Sequence, residues 1–401
     1  MKPKALSVMV FLFTFLFAGL LAMQFPSTAS AKDVITIGFA MNLTGREAPQ
    51  AAGHMQAYEL WAEMVNEKGG LHIPEYGKRI PVKFVYYDSK SEPATAVRIY
   101  EKLINEDKVD VIFTPQGTSS HFAIAPLAEK YKIPMVGSTA ASVKIRDLKT
   151  RYFWFTSPLA DRYMRALVDL VKSVGAKSVA IIYAQELFPR ENLQFLDPYV
   201  KQAGLEVVVH KDYPVGEKDL TSLLAEIKTK GPDAVLALCY VPGSFTMTTQ
   251  AQEIGLNPKL FYQLIGPAVV AYEPKFGAAA DGIACMGHWS PKLKFPGAKE
   301  FYDRFVAKFN VKPDYLNSVL AFIAAQVMQQ AIEKVGLDRE KLRDAIAGNE
   351  FQTINGTIRY EGVESTIPGM VLQYQQGEKE IIWPPEHATA KPLYPKPAWP
   401  K

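Results

Sequence analysis

Short apolar runs alternate with longer amphipathic segments along the chain from Val34 onward. Residues 34–41 (VITIGFAM) are typical of a buried strand, whereas in residues 54–70 the apolar side chains recur at helical spacing until Gly69-Gly70. This alternation predicts a parallel sheet with helices on both faces.

The alternation forms two series. The first predicts strands at 34–41, 81–88, 109–114 and 134–138, and helices at 54–70, 93–107 and after 117. The second begins near Pro158 and predicts helices at 160–175, 191–204, 218–231 and 244–255, with strands at 178–184, 206–214, 233–240, 259–265 and 281–287. Helices at 298–310, 314–336 and 339–348, antiparallel strands at 356–362 and 370–384, and a Pro-rich tail follow. We therefore predict an α/β fold of two doubly wound parallel-sheet lobes.

The N-terminus has the pattern of a secretory signal peptide. Lys2 and Lys4 precede an apolar run at 5–22, and Ala29-Ser30-Ala31 forms a cleavage site. Cleavage after Ala31 would remove 31 of 401 residues and leave 370, which favours two domains. The run is near transmembrane length, so an uncleaved anchor is the alternative.

The net charge argues against a nucleic-acid-binding protein, and the two cysteines indicate a chain with at most one disulfide. The formal net charge of +4 becomes +2 without the two lysines of the leader, so we expect no basic surface for nucleic acid. Cys239 and Cys285 lie in apolar runs. A disulfide between them is conceivable after export, but two buried free thiols are favoured.

Two clusters of small hydroxyl residues follow neighbouring predicted strands. Gly117-Thr118-Ser119-Ser120 comes after the strand at 109–114, and residues 137–142 (GSTAAS) come after the strand at 134–138. Ser and Thr are favoured helix N-caps, which is the simpler explanation. Both clusters also lie where open parallel sheets bind ligands, next to unpaired helix N–H groups. They could therefore hold one small anion.

The sequence contains no recognisable catalytic or metal-binding motif. There is no H-E-x-x-H, C-x-x-C, G-x-S-x-G, Walker A or G-x-G-x-x-G motif, so no metal or cofactor is expected. Ser119-Ser120-His121 resembles a nucleophile and base, but a capped helix explains it better. The six histidines are scattered, at positions 54, 72, 121, 210, 288 and 387. We expect a protein that is not an enzyme.

A succession of motifs resembles the periplasmic solute-binding proteins of branched-chain amino-acid ABC importers. The matching segments span the chain beyond the leader and lie at 35–45 (ITIGFAMNLTG), 64–70 (MVNEKGG), 82–97, 111–141, 179–184, 215–228 (VGEKDLTSLLAEIK), 232–240 and 249–255. No single motif is decisive, but their order and spacing are specific. The resemblance implies a type I periplasmic binding fold whose two lobes, joined by three crossovers, close on a ligand.

The resemblance also implies boundaries and partners. The first lobe would comprise 32–157 plus 289–362, and the second 158–288 plus 363–401 with the Pro-rich tail. The protein would be a periplasmic monomer that binds a small-molecule solute and docks on a membrane permease. A sensory ligand-binding domain is the second hypothesis, and a secreted enzyme the third.

In the resembled family, the ligand carboxylate is held by residues that follow the third and fourth strands. The matching positions here are Thr118 or Ser119 and Ser142, with the carbonyl near Ala140 facing the ligand. Further residues would form the walls of the site, although core packing is an equally good explanation of the aromatic ones. These residues are Gln50, Phe188 or Leu187, Tyr240 and Tyr315.

One position departs from the resembled family. The amino-acid binders place a Glu after Gly-Pro to pair the ligand ammonium, whereas residues 264–270 (LIGPAVV) have Ala268 there. A buried ammonium without a carboxylate is unfavourable. Arg46, in a loop beside the cleft, could add a bidentate contact to an anion or could be a solvated surface residue. We therefore expect a small organic acid, aromatic acids included, ahead of leucine or valine.

Overall fold

The computed structural model describes residues 32–400, so the predicted signal peptide and the cleavage site after Ala31 lie outside the described residues. The strands are β1 (Ile35–Met41), β2 (Leu71–Ile73), β3 (Lys78–Ile80), β4 (Val82–Asp88), β5 (Val111–Ile112), β6 (Met135–Gly137), β7 (Phe153–Phe155), β8 (Ser178–Ala184), β9 (Glu206–Tyr213), β10 (Ala234–Leu238), β11 (Leu260–Gln263), β12 (Ile283–Gly287), β13 (Phe351–Thr353), β14 (Gly356–Ile358), β15 (Tyr360–Glu361), β16 (Glu364–Ser365), β17 (Met370–Gln375) and β18 (Glu378–Trp383).

The α-helices alternate with these strands through most of the chain. They are α1 (Ala48–Glu67), α2 (Pro93–Asn105), α3 (Thr118–Tyr131), α4 (Ala160–Ser173), α5 (Leu187–Gln202), α6 (Thr221–Lys230), α7 (Val241–Glu253), α8 (Tyr272–Phe276), α9 (Ala298–Phe309), α10 (Asn317–Val335) and α11 (Arg339–Gly348). Amphipathic helices such as α4 bury one face against the sheets and leave charged residues on the other.

The first lobe is built on two sheets, one parallel and one mixed, in which β15 pairs antiparallel with β16. One sheet has the order β4-β1-β5, and the other has the order β15-β16-β7-β6. Thr114 Oγ1 joins them by donating to the Val136 carbonyl at 3.2 Å. The strands β1, β4 and β5 are parallel, as are β6 and β7.

The second lobe is one seven-stranded sheet in the order β18-β17-β12-β11-β10-β8-β9. Strands β8 to β12 run parallel, and β17 and β18 are added antiparallel at the edge next to β12. The central strand β10 is completely buried, which is expected of a strand covered on both faces. The predicted doubly wound α/β class is confirmed for both lobes.

The chain passes between the two lobes three times. The passages follow β7, β12 and β16, because each of these strands lies in a different lobe from the next long element. The predicted boundary at residue 362 lies slightly too early, since Glu364 pairs with Phe155 of β7 in the first lobe. The third passage therefore falls at 366–369.

The Pro-rich tail packs on the second lobe. Its main chain is bonded at several points, among them Leu393 N–H to Gln373 Oε1 at 2.8 Å and Lys396 N–H to the Lys259 carbonyl at 2.7 Å. Trp399 Nε1 donates to the Leu256 carbonyl at 2.8 Å. The tail is thus an ordered part of this lobe.

Cys239 and Cys285 are buried free thiols. Within residues 32–400, none of the helices combines the length and the apolar character that a membrane crossing requires.

Candidate functional site

A cavity of about 1280 Å³ lies between the lobes, with residues of both in its wall. Five of the described helices begin at this wall, namely α1, α3, α5, α7 and α10. The first turn of a helix has N–H groups without intrahelical acceptors and carries partial positive charge. Where these N–H groups have no acceptor within residues 32–400, as at the starts of α3 and α7, the wall offers donors to an anionic group of a solute.

The N-terminus of α3 is open towards the cavity. Gly117 is its N-cap residue, with a φ of +94° that favours glycine, and no side chain caps the helix. The first N–H of this segment with a main-chain acceptor is that of His121, which donates to the Gly117 carbonyl at 3.2 Å. Within residues 32–400, the N–H groups of Thr118, Ser119 and Ser120 have no acceptor. Thr118 and Ser119 line the cavity.

The two hydroxyl clusters meet at this place. Thr139 Oγ1 accepts a hydrogen bond from Gly117 N–H at 2.9 Å, and Thr118 Oγ1 accepts one from Ala141 N–H at 3.3 Å. These bonds hold the loops after β5 and β6 side by side. The clusters thus converge on the cavity, as their positions after neighbouring strands suggested.

The second cluster presents different residues from those predicted. Thr139 and Ala141 line the cavity, whereas Ala140 and Ser142 lie outside its wall. Ala140 is in the core of the first lobe, and Ser142 Oγ donates to Glu191 Oε1 at 2.9 Å. In an extended segment alternate side chains point to opposite sides. The residues that line the cavity, Thr139 and Ala141, therefore each lie one position before the predicted residues Ala140 and Ser142.

The predicted wall residues divide into two groups. Gln50, Leu187, Phe188 and Tyr240 line the cavity. The rings of Phe188 and Tyr240 lie 6.4 Å apart, and Gln50 Oε1 accepts from Gln116 Nε2 at 3.4 Å. Phe188 and Tyr240 thus supply aromatic surface from the second lobe.

Tyr315 and Ala268 lie outside the cavity wall. Tyr315 is 2% exposed and packs edge-on against Trp289 at 5.3 Å, so the core-packing alternative describes its contacts. Ala268 is completely buried, and its carbonyl accepts from Lys379 Nζ at 2.8 Å. The wall near Ala268 is formed by Ile265 and Val269 instead. That part of the wall is apolar.

Arg46 lies at the entrance to the cavity between two carboxylates. Its guanidinium is 3.4 Å from Glu47 Oε1 and 3.4 Å from Glu186 Oε1 of the second lobe, and its side chain is 76% exposed. Burial raises the pKa of both Glu47 and Glu186, and the charge of Arg46 opposes this shift. The cation thus stabilises two partly desolvated acids.

The other two acidic residues of the wall bond to the main chain. Asp314 Oδ1 accepts from Leu316 N–H at 3.1 Å and from Ser318 N–H at 3.2 Å, and so caps α10. Glu217 Oε1 accepts from Lys218 N–H at 2.8 Å. Each of the four carboxylates in the cavity wall therefore already has a partner.

The chain holds no evident metal centre in its described part. Residues 32–400 contain no group of three His, Cys, Asp or Glu side chains placed to bind a metal ion. His121 is buried, with its Nδ1 2.8 Å from the Gly117 carbonyl and its Nε2 accepting from Ser138 N–H at 3.2 Å. Its ring therefore supports the hydroxyl clusters.

The family model described as periplasmic binding protein matches residues 34–369. The chain belongs to the periplasmic binding protein family. The predicted resemblance is thus confirmed, and members of this family bind solutes for ABC transporters.

One relative of this periplasmic binding protein is the leucine-, isoleucine-, valine-, threonine- and alanine-binding protein of Pseudomonas aeruginosa, 25% identical over 86% of this chain and 91% of the relative. Among solved structures, a solute-binding protein from R. palustris in complex with benzoate has a TM-score of 0.75 at 21% identity, covering 91% of this chain and 98% of that chain. A branched-chain amino acid transporter substrate-binding protein from Streptococcus pneumoniae in complex with isoleucine has a TM-score of 0.76 at 19% identity, covering 88% and 100%. At these identities the structures establish the shared fold.

Sequence reasoning missed several residues that line the cavity. Thr139 and Ala141 could have been found from the alternation expected of an extended segment. Gln116 and Tyr163 gave no signal, because a residue at a strand end and one inside a helix are ordinary in sequence. Tyr213 is the last residue of β9, and nothing in the sequence marks it as a residue of the binding site.

Proposed function

We propose that this chain is the exported solute-binding component of an ABC importer and that its lobes close on a small organic acid. The observation that carries the proposal is the open N-terminus of α3 at the cavity. There, the N–H groups and hydroxyls of Thr118 and Ser119 form a set of donors suited to a carboxylate. Thr139 supports this set from the neighbouring loop.

The lack of a carboxylate beside Ala268, among the described residues of the wall, favours an organic acid over an amino acid. An α-ammonium group needs a carboxylate partner when it is desolvated. The four carboxylates of the wall are already engaged, two with Arg46 and two with main-chain N–H groups. The wall beside Ala268 offers no carboxylate. A hydrophobic amino acid is the second candidate, because the P. aeruginosa relative is an amino-acid-binding protein.

The cavity is large for a small-molecule site. Small-molecule sites typically measure roughly 300–1,000 Å³, and this cavity measures about 1280 Å³. A solute larger than a free branched-chain amino acid therefore has room between the lobes.

The leader and the family together support export and transport. The signal-peptide pattern that ends at Ala31 indicates periplasmic delivery. The partner would be a membrane permease. The protein would dock on it as a monomer in its closed form, through surfaces of both lobes.

Isothermal titration of the mature protein, residues 32–401, tests the proposal. The panel comprises benzoate and aliphatic monocarboxylates, with leucine, isoleucine and valine as competitors. We expect binding of at least one acid that lacks an amine, and weaker binding of the three amino acids. Tight binding of the amino acids alone would establish the second candidate.

A further inference from the structure

An unpartnered polar group lies in the second-lobe wall of the cavity. Tyr213, the last residue of β9, lines the cavity and is 5% exposed. Its hydroxyl makes no hydrogen bond to a nitrogen or oxygen atom within residues 32–400, and a thiol such as that of the neighbouring Cys239 is a weak partner. The thiol of Cys239, which lies beside it, is held by Ser244 Oγ at 3.1 Å. A buried hydroxyl without a partner is unfavourable, so a partner from outside the chain would be stabilised there.

The N-terminus of α7 adjoins this hydroxyl. Tyr240, its N-cap residue, provides no side-chain cap, and the N–H groups of Val241 and Gly243 have no acceptor within residues 32–400. A Cβ at Gly243 would lie 2.5 Å from Tyr213 Oη, so only glycine lets the helix end approach the hydroxyl so closely. A hydroxyl donor and a helix N-terminus thus occupy one place in the wall.

The hydroxyl can act only as a neutral donor or acceptor. Burial raises the pKa of Tyr213 well above its usual value, so the phenol stays protonated. Because the adjacent main-chain groups are donors, the complementary ligand group is an acceptor.

We propose that Tyr213 Oη and the N–H groups of Val241 and Gly243 form a second solute-binding subsite, the α7 donor site, which takes an acceptor oxygen. The inference rests on the proposed function and extends it. The solute is then a bifunctional acid, with one carboxylate at the N-terminus of α3 in the first lobe. A second carboxylate or hydroxyl oxygen binds at α7 in the second lobe. Such a solute contacts both lobes and so favours their closure.

Matched acids test the α7 donor site by isothermal titration of the mature protein. One set is benzoate, 3-hydroxybenzoate and benzene-1,3-dicarboxylate, and the other is pentanoate and pentanedioate. In at least one set, the second oxygen should tighten binding by roughly tenfold or more. Tyr213→Phe should abolish this gain and leave the affinity for the monofunctional acid within about twofold.

Two controls separate this role from a structural one. Tyr213→Phe removes an unpartnered hydroxyl, so its thermal midpoint should equal or exceed that of the wild type. Tyr183→Phe makes the same change in β8 at a half-buried residue outside the cavity wall, and should not alter the gain.

Two results would overturn the inference and leave the proposed function standing. One is binding of monofunctional acids by the wild type with no gain from a second oxygen. The other is an equal loss for both kinds of acid in Tyr213→Phe. Failure of the wild type to bind any of the acids would instead count against the proposed function, and the inference would fall with it.

Discussion

Ser142 Oγ of the first lobe donates a hydrogen bond to Glu191 Oε1 of the second lobe at 2.9 Å. The N–H of Val143 donates to the same oxygen at 2.6 Å. Glu191 lies in the second turn of α5, whose first residues line the cavity. The two lobes are therefore bonded directly beside the cavity. Ser142, which the sequence predicted to bind the solute, is thus bonded to the opposite lobe.

Glu191→Gln should weaken solute binding although Glu191 does not line the cavity. Loss of a charge-assisted bond between the lobes costs about 1–3 kcal/mol, and a ligand that needs the closed state binds less tightly when that state is less populated. Titration should show an affinity about 5–100-fold lower, and small-angle scattering a larger radius of gyration without solute.

Ser142→Ala should reproduce the direction of that effect. Ser173→Ala, which removes a hydroxyl bonded within its own helix of the second lobe, is the matched control and should bind normally. If Ser142→Ala weakened binding while Glu191→Gln did not, Ser142 would contact the solute directly.

Thr118→Val should weaken binding of the solute carboxylate. The change removes a cavity-lining hydroxyl at the open end of α3 and the acceptor of Ala141 N–H, with an expected loss of about 1–3 kcal/mol in binding free energy. Thr118→Ser keeps the hydroxyl and should bind within about threefold of the wild type. Isothermal titration measures both, and unchanged affinity in Thr118→Val would remove the carboxylate site from α3.

The fold could be predicted because its strands are continuous apolar runs between amphipathic helices. Three helices, however, begin before the predicted residue, α1 at Ala48, α5 at Leu187 and α7 at Val241. Each has a proline in its first turn, and a proline at that point of the sequence suggests a loop. In that turn the missing N–H costs nothing, because it would have no intrahelical acceptor.

These early helical turns are part of the cavity wall, as Pro49, Phe188 and Pro242 show. The site was therefore less predictable than the fold. The same applies to the α7 donor site, since only the folded chain brings Tyr213 against Gly243. Nothing in their spacing of thirty residues indicates contact.

Trp399→Ala should destabilise the second lobe. The indole bonds to the Leu256 carbonyl at 2.8 Å, and Lys396 Nζ lies 3.7 Å from its ring centroid. Loss of these contacts should cost about 2–4 kcal/mol. Trp399→Phe keeps a ring and should cost about half as much, mainly through the lost N–H. Urea unfolding measures both, and equal stability of Trp399→Ala and the wild type would show that the tail does not stabilise the lobe.

Three buried histidines should make the protein less stable as the pH falls below about 6.5, their usual pKa. Burial lowers the pKa of His54 to about 3, of His121 to about 4 and of His288 to about 3. The unfolded chain therefore takes up protons from about pH 6.5 downward while the folded chain does not. The stability due to the neutral rings is complete above pH 6.5 and is lost as the pH falls towards 4 and 3.

The slope is best measured from pH 6.5 to 5, where the imidazoles of the unfolded chain take up protons. The raised pKa values of Glu47 and Glu186 act in the opposite direction, because their carboxylates take up protons in the folded protein before they do in the unfolded chain. Each histidine should contribute a slope of up to about 1.4 kcal/mol per pH unit to the free energy of unfolding. Urea unfolding at several pH values measures this slope. His288→Gln removes one of the three rings and should reduce the slope by about one third. Tyr163→Phe is the control, because it removes the 2.8 Å bond to His288 Nε2 and keeps the titrating ring. The slope should therefore survive in Tyr163→Phe. A flat profile in the wild type would show that these rings take up protons in the folded protein at the same pH as in the unfolded chain.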